Sequence, residues 1–322
     1  MDTFIDQFGP KEREVLELLP RDLLDLSDIQ KARDRVQALA QLTAVEIAVD
    51  DIEINDHFID TADSKTNFKI RLYRPKTISI PSPAILWIHG GGMVMGNVDA
   101  DQSLCIETAK HLGVIIASVE YRLAPEYPYP APLLDCFSAL SWLHENSQRF
   151  EVDGSRIVVA GASAGGGLAA GTALYARDQS GPEIAGLLLV YPMLDDRNET
   201  KSSHAITDLR VWNRSANLSG WQAYLGKNSK APEIYAAPAR ATDLTKMPPT
   251  FISTGEFDLF HDENVAFAKL LNENGVDVEL KRYPKTFHAS NLFCPTSDIS
   301  IEWNIDQLHA FSRLLKINAD KN

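Results

Sequence analysis

From Ala84 onward the chain alternates between short, wholly apolar runs and longer amphipathic stretches, and this pattern limits the fold more than any other feature. Ala84–Ile88 precedes a helical pattern near Ser103–Leu112, Val114–Val119 precedes Pro132–Asn146, Ile157–Ala160 precedes Ala164–Arg177, and Ala185–Val190 closes the series. A strand buried on both faces reads as a continuous apolar run, and helices supply the crossovers between parallel strands. The alternation therefore predicts βαβ units around a mainly parallel sheet flanked by helices. It breaks between Asp195 and Pro248, a polar helical stretch holding Trp212, Trp221 and Tyr224. It resumes with Thr250–Ser253, a helix at Asp262–Asn274, Val276–Tyr283 and a last helix from about Ile301 to Leu315.

Upstream, Lys11 to Gln41 carries apolar residues at helical spacing and predicts two short helices interrupted near Pro20. Two extended stretches, Val45–Ile54 and Phe68–Tyr73, follow with β-branched content. The expected organisation is an N-terminal helical cap segment at 1–45, a first core part at 46–194, an inserted cap segment at 195–248 and a second core part at 249–322.

Composition excludes several partners. With a formal net charge of −13 the chain repels phosphate backbones, so no nucleic acid is expected. No run approaches the roughly 20 apolar residues that span a bilayer, so no membrane partner is expected. Met1 to Pro20 lacks the basic and apolar regions of a secretory signal. Cys105, Cys136 and Cys294 fit neither a disulfide framework nor a zinc spacing, and a reducing cytoplasm is the simplest expectation. The Asn-x-Ser/Thr matches at Asn198, Asn213 and Asn217 are then accidental.

The chemistry is carried by a few motifs. Gly161-Ala162-Ser163-Ala164-Gly165 fits G-x-S-x-G and lies between an apolar run and a helix of small residues. There the serine sits on a sharp strand-to-helix turn, and the helix N-terminus adds free N–H groups beside it. A Gly/Ala turn serving packing alone would look the same, so a second motif has to decide. His89-Gly90-Gly91-Gly92 follows the run Ala84–Ile88. A glycine run lets backbone N–H groups converge on a developing oxyanion, and the expected donors are Gly91, Gly92 and Ala164. His89 is expected to order that loop rather than to move protons.

Of eight histidines, four precede Ser163, His204 lies in the inserted segment, His261 begins a helix and His309 lies inside the last one. His288 follows the run ending at Tyr283, at the strand edge where catalytic groups collect, and is the expected base. Asp258 follows Thr250–Ser253 in the same way and is the expected orienting acid. Asp262 and Glu263, one turn later, read as acids that favour the helix dipole.

Taken together, His89-Gly-Gly-Gly, Tyr121-Arg-Leu-Ala-Pro-Glu126 with Pro128 and Pro130, Gly161-Ala-Ser-Ala-Gly-Gly166, Gly255-Glu-Phe-Asp-Leu-Phe-His-Asp-Glu263 and Tyr283-Pro with His288 resemble the bacterial hormone-sensitive-lipase-like carboxylesterases. The resemblance runs from about Ser82 to the end and takes in Tyr235–Leu244 and Met247-Pro-Pro249. It implies the α/β-hydrolase fold with a helical cap, the triad Ser163, Asp258 and His288, and a structural role for Arg122 and Glu126 in ordering loops under the site. Two departures stand out: Ala162 where many relatives carry Asp, and Ala289-Ser290-Asn291 where many have Gly-Phe after the histidine.

The expected function is a serine esterase acting on small, short-acyl esters, with no metal or organic cofactor. Self-association as a homodimer is left open. A non-catalytic receptor on the same fold has no use for the complete Ser, Asp and His set. An amidase or peptidase shares the triad and differs only in leaving-group contacts.

Overall fold

The computed structural model describes residues 4–43, 48–61, 66–226, 230 and 232–317. Helices α1 (Pro10–Leu18) and α2 (Ile29–Thr43) precede two antiparallel strands, β1 (Ile52–Asp60) and β2 (Asn67–Pro75). The first extended stretch thus forms its strand later than expected. Val45–Glu46–Ile47 and the expected boundary at 45/46 lie outside the described residues.

The alternating region then gives β3 (Ser82–Ile88), α3 (Gln102–Leu112), β4 (Ile115–Glu120), α4 (Ala131–Glu145), β5 (Val152–Ala162), α5 (Ala164–Asp178) and β6 (Gly186–Val190). The segment that breaks the pattern holds α6 (Lys201–Ala205), α7 (Arg214–Leu225) and a 3₁₀ turn at Pro238–Arg240. β7 (Thr250–Phe257), α8 (His261–Glu273), β8 (Val278–Phe287), α9 (Ser290–Phe293) and α10 (Asp298–Leu314) complete the chain.

The eight strands form one sheet in the order β1-β2-β4-β3-β5-β6-β7-β8, parallel from β4 to β8. Period-two geometry divides each buried run between two cores. Ala84, Leu86 and Ile88 of β3 face one core with Leu140 of α4 and Leu168 of α5, while Ile85 and Trp87 face the other with Ile106 of α3 and Phe311 of α10. Both faces are covered by helices, which is why these strands read as unbroken apolar runs.

Register brings the site together. Ile88 pairs with Gly161, Ala162 with Val190, and Phe257 with Phe287. His89, Ser163, Tyr191, Asp258 and His288 are the next residues along, so all five leave the sheet at its carboxyl edge.

The N-terminal helices are fastened to that edge. Phe8 packs edge-on against Phe257 and Phe287, each with ring centroids 5.5 Å away. Arg33 of α2 grips Glu126 with two hydrogen bonds of 2.7 and 2.8 Å, and donates to the carbonyls of Val94 (2.7 Å) and Ala124 (3.0 Å).

Candidate active site

Ser163 takes the left-handed φ of +56° (ψ −120°) at the junction of β5 and α5, a strained conformation costing roughly 1–3 kcal/mol for a residue with a Cβ. The surroundings hold it there. Its N–H donates to Val190 (2.8 Å), and its carbonyl accepts from Gly167 (3.0 Å) and Met193 (2.9 Å). Gly165 is dictated by crowding, because a Cβ there would overlap the carbonyl groups of Ile88 and His89.

The three expected side chains meet. His288 Nε2 lies 3.0 Å from Ser163 Oγ, and His288 Nδ1 lies 2.8 Å from Asp258 Oδ2. Asp258 is fully buried, and its other oxygen accepts the Phe260 N–H at 2.8 Å, so the carboxylate cannot rotate away. The imidazole is held edge-on by Tyr191 and Phe260, with centroids at 4.6 and 5.2 Å. Its only exposure is 8%, and that of Ser163 is 6%.

The glycine loop lies beside the serine. A Cβ on Gly90 would sit 3.1 Å from the Ala162 carbonyl oxygen and 3.4 Å from Ser163 Cβ. Gly91 and Gly92 have φ of +111° and +62°. Among the described residues, no backbone carbonyl accepts the N–H groups of Gly91, Gly92 or Ala164. His89 is buried, and burial holds its ring below the usual imidazole range. Its Nδ1 bonds the Gly90 carbonyl (2.8 Å), its ring stacks on Tyr121 at 4.2 Å, and the Tyr121 hydroxyl donates back to the His89 carbonyl. Tyr121 and His89 therefore brace the loop as a stacked pair.

Segment 195–248 touches the loop directly. The Trp212 ring lies against Gly92, leaving no room for a Cβ, and Gly220 of α7 packs on the Gly92 carbonyl. Trp212 Nε1 donates to Asn217, which donates to Asn198, a buried relay behind the ring. Asn198, Asn213 and Asn217 are each no more than 1% exposed, so none presents an amide to a glycosylating enzyme. Trp221 and Tyr224 have the other common fate of large rings and pack α7 onto the core beside Tyr129.

Several roles differ from expectation or were not legible. Asp262 is not the partner bonded to the imidazole; its Oδ2 accepts the Ser202 N–H at 2.9 Å. Glu263 is not a solvated first-turn acid: it is 2% exposed and accepts from the N–H groups of Leu194 (2.7 Å) and Asp195 (3.2 Å). Arg122 forks onto buried Asp135 of α4, tying down the loop from Tyr121, whereas Glu126 reaches outward to Arg33. Arg33 gave no local signal for its role, since Val94, Ala124 and Glu126 are 61 to 93 residues away. Ala289 takes the left-handed φ of +63° that suits glycine better. Cys105, Cys136 and Cys294 are free and buried. Among the described residues no His, Cys, Asp and Glu side chains gather as a metal-ligand group, and no helix is long and apolar enough to cross a membrane.

An eight-stranded, mostly parallel sheet with a strained serine between strand and helix defines an α/β hydrolase, and residues 85–292 match the family model described as the alpha/beta hydrolase fold. Esterase LipI of Mycobacterium tuberculosis (strain ATCC 25618 / H37Rv) is 36% identical over 224 residues, 68% of this chain and 69% of that protein. Carboxylesterase NlhH of the same strain is 32% identical over 286 residues, 87% and 88% of the two chains. Among solved structures, "Bacterial Heroin Esterase" superposes with a TM-score of 0.93 at 38% identity, covering 97% of this chain and 99% of the other. The chain belongs to the bacterial hormone-sensitive-lipase-like carboxylesterase family, and it is a carboxylic ester hydrolase.

Proposed function

We propose that the chain hydrolyses small, short-acyl esters through an acyl-enzyme on Ser163, with His288 as base, Asp258 as its orienting acid, and Gly91, Gly92 and Ala164 as oxyanion donors. The observation that carries the reading is the continuous line from Ser163 Oγ to His288 Nε2 (3.0 Å) and from His288 Nδ1 to Asp258 (2.8 Å). Neutral His288 takes the Ser163 proton as Oγ attacks the ester carbonyl. The N–H donors then stabilise the tetrahedral oxyanion, a contribution of about 3 kcal/mol per donor. The imidazolium, steadied by Asp258, protonates the departing alcohol. Water, deprotonated by the same imidazole, releases the acid and restores Ser163.

The short-acyl preference rests on enclosure. Ser163 and His288 are almost wholly covered, and Trp212 closes the space over Gly92. Each methylene buried in such a pocket gains about 0.8 kcal/mol until the pocket is full. With p-nitrophenyl esters from acetate to palmitate, kcat/KM should peak at about two to six acyl carbons, an estimate from that gain and a closed pocket. Ser163→Ala should abolish turnover while unfolding like the parent. A rate still climbing past decanoate refutes the closed pocket, and turnover surviving in Ser163→Ala refutes the nucleophile.

A further inference from the structure

Segment 190–195 touches both Ser163 and His288. Val190 accepts the Ser163 N–H, Met193 donates to the Ser163 carbonyl, Tyr191 donates to Ser253 (2.6 Å), and the Tyr191 ring rests on His288. The segment is gripped from the other side by the first turn of α8. Asn264 Nδ2 donates to the Pro192 carbonyl at 2.6 Å, and Glu263 Oε1 accepts from Leu194 and Asp195. The loop entering that same turn carries Asp258, whose carbonyl accepts the His261 N–H at 3.1 Å.

From this arrangement we infer that Glu263 is a positioning residue for the hydrolysis: by holding Leu194 and Asp195 it fixes segment 190–195, and with it the distance between Ser163 and His288. The inference rests on the triad reading given above. Glu263 touches neither the imidazole nor the serine and acts only through the backbone it holds.

The group suits the task because it is a buried acceptor with no cation bonded to it among the described residues. Burial, then the charges of Asp195 and Asp258, hold its carboxyl well above the usual carboxylate range. The other charged or titratable groups facing this corner are Arg197, forked onto Asp195 at 2.7 and 2.8 Å, and His288 on Asp258. The Glu263 Oε2 atom is buried without a hydrogen-bond partner. A glutamine amide keeps the acceptor and the shape, whereas alanine leaves two buried N–H groups unpaired.

The test compares Glu263→Gln and Glu263→Ala with the parent and with Ser163→Ala, using p-nitrophenyl butyrate turnover, fluorophosphonate labelling of Ser163, thermal unfolding and the pH profile of kcat/KM. Glu263→Gln should keep kcat within about threefold with the acid limb of the profile unmoved, because the amide oxygen still accepts from the Leu194 and Asp195 N–H groups. Glu263→Ala should lose about 10- to 100-fold in kcat and in labelling rate, with KM within about threefold, as expected when reacting groups are misplaced rather than binding lost. An alanine variant that unfolds earlier yet keeps its kcat overturns the inference, as does one that changes KM alone. A glutamine variant with a displaced acid limb also overturns it, since the side chain would then act through its charge rather than through the backbone it holds. Ser163→Ala reads the triad separately: if it is dead while Glu263→Ala is fully active, only the positioning role falls.

Discussion

Replacing Gly92 by alanine probes the contact between the inserted segment and the glycine loop, and Gly113 supplies the control. The two glycines have nearly the same φ, +62° and +63°. An added Cβ at Gly113 meets nothing within 4 Å, whereas at Gly92 it falls 2.7 Å from Trp212 Cζ2, 2.9 Å from Cζ3 and closer still to Cη2. Left-handed φ alone costs a residue with a Cβ about 1 kcal/mol, so Gly113→Ala should lose about that and stay fully active. Gly92→Ala adds overpacking against a buried ring, typically about 1–3 kcal/mol more. If the loop shifts to relieve the clash, Gly92, proposed above as an oxyanion donor, leaves its station and kcat should fall about 100-fold. Thermal unfolding and p-nitrophenyl butyrate turnover read the two effects. The double variant Gly92→Ala/Trp212→Ala should be more stable than the sum of its single changes by about 1 kcal/mol or more, because the clash has lost one partner. Identical behaviour of Gly92→Ala and Gly113→Ala in both assays would refute the contact as a determinant of loop position.

Asp258→Asn should lower kcat by about 10⁴-fold, since an amide no longer holds the reactive tautomer, whereas Asp262→Asn, which loses only acceptor strength toward Ser202, should stay within about tenfold; equal losses would refute the assignment. The Arg33 guanidinium holds the Glu126 carboxyl below its ordinary 4.5, at about 2. A lowered carboxyl stabilises the folded state above the unfolded pKa and ceases to do so as pH falls through the folded one. The stability difference between the parent and Glu126→Gln should therefore be present at pH 7 and shrink toward pH 3. A difference that stays constant over that range refutes the latch; because Glu126 is half exposed, the whole effect is modest.

Where a structural cause is local, the sequence displays it. The runs from Ala84 to Val190 give both the strands and their double burial, because each residue's environment repeats with period two. The meeting of Ser163, Asp258 and His288 was legible because a parallel sheet delivers the residues after its strands to one edge. The β1 strand was misplaced because it is an edge strand with its outer face open. Phe58 there is 68% exposed, so burial wrote no clean alternation into Ile52–Asp60. Glu263 was misread because a first-turn acid before an apolar helix has a sufficient local explanation, and only the third dimension shows Leu194 and Asp195 above it. Arg33 illustrates the same limit, since nothing near it in the chain reports the carbonyls of Val94 and Ala124.

The anchoring of the N-terminal region has a consequence for biosynthesis. Its partners all emerge from the ribosome later: Arg33 bonds 61 residues ahead, the Leu16 carbonyl receives Arg210 from 194 residues ahead, and Lys11 donates to the Thr296 carbonyl, 285 residues ahead. At translation speeds of about 5–20 residues per second, α1 waits on the order of tens of seconds for these partners, whereas Arg33 of α2 waits only about 3–12 seconds for Val94. Closing such distant contacts is entropically slow as well. Phe8 is thus made long before its seat, and until it reaches Phe257 and Phe287 the nascent chain is open to meeting a neighbour instead of itself.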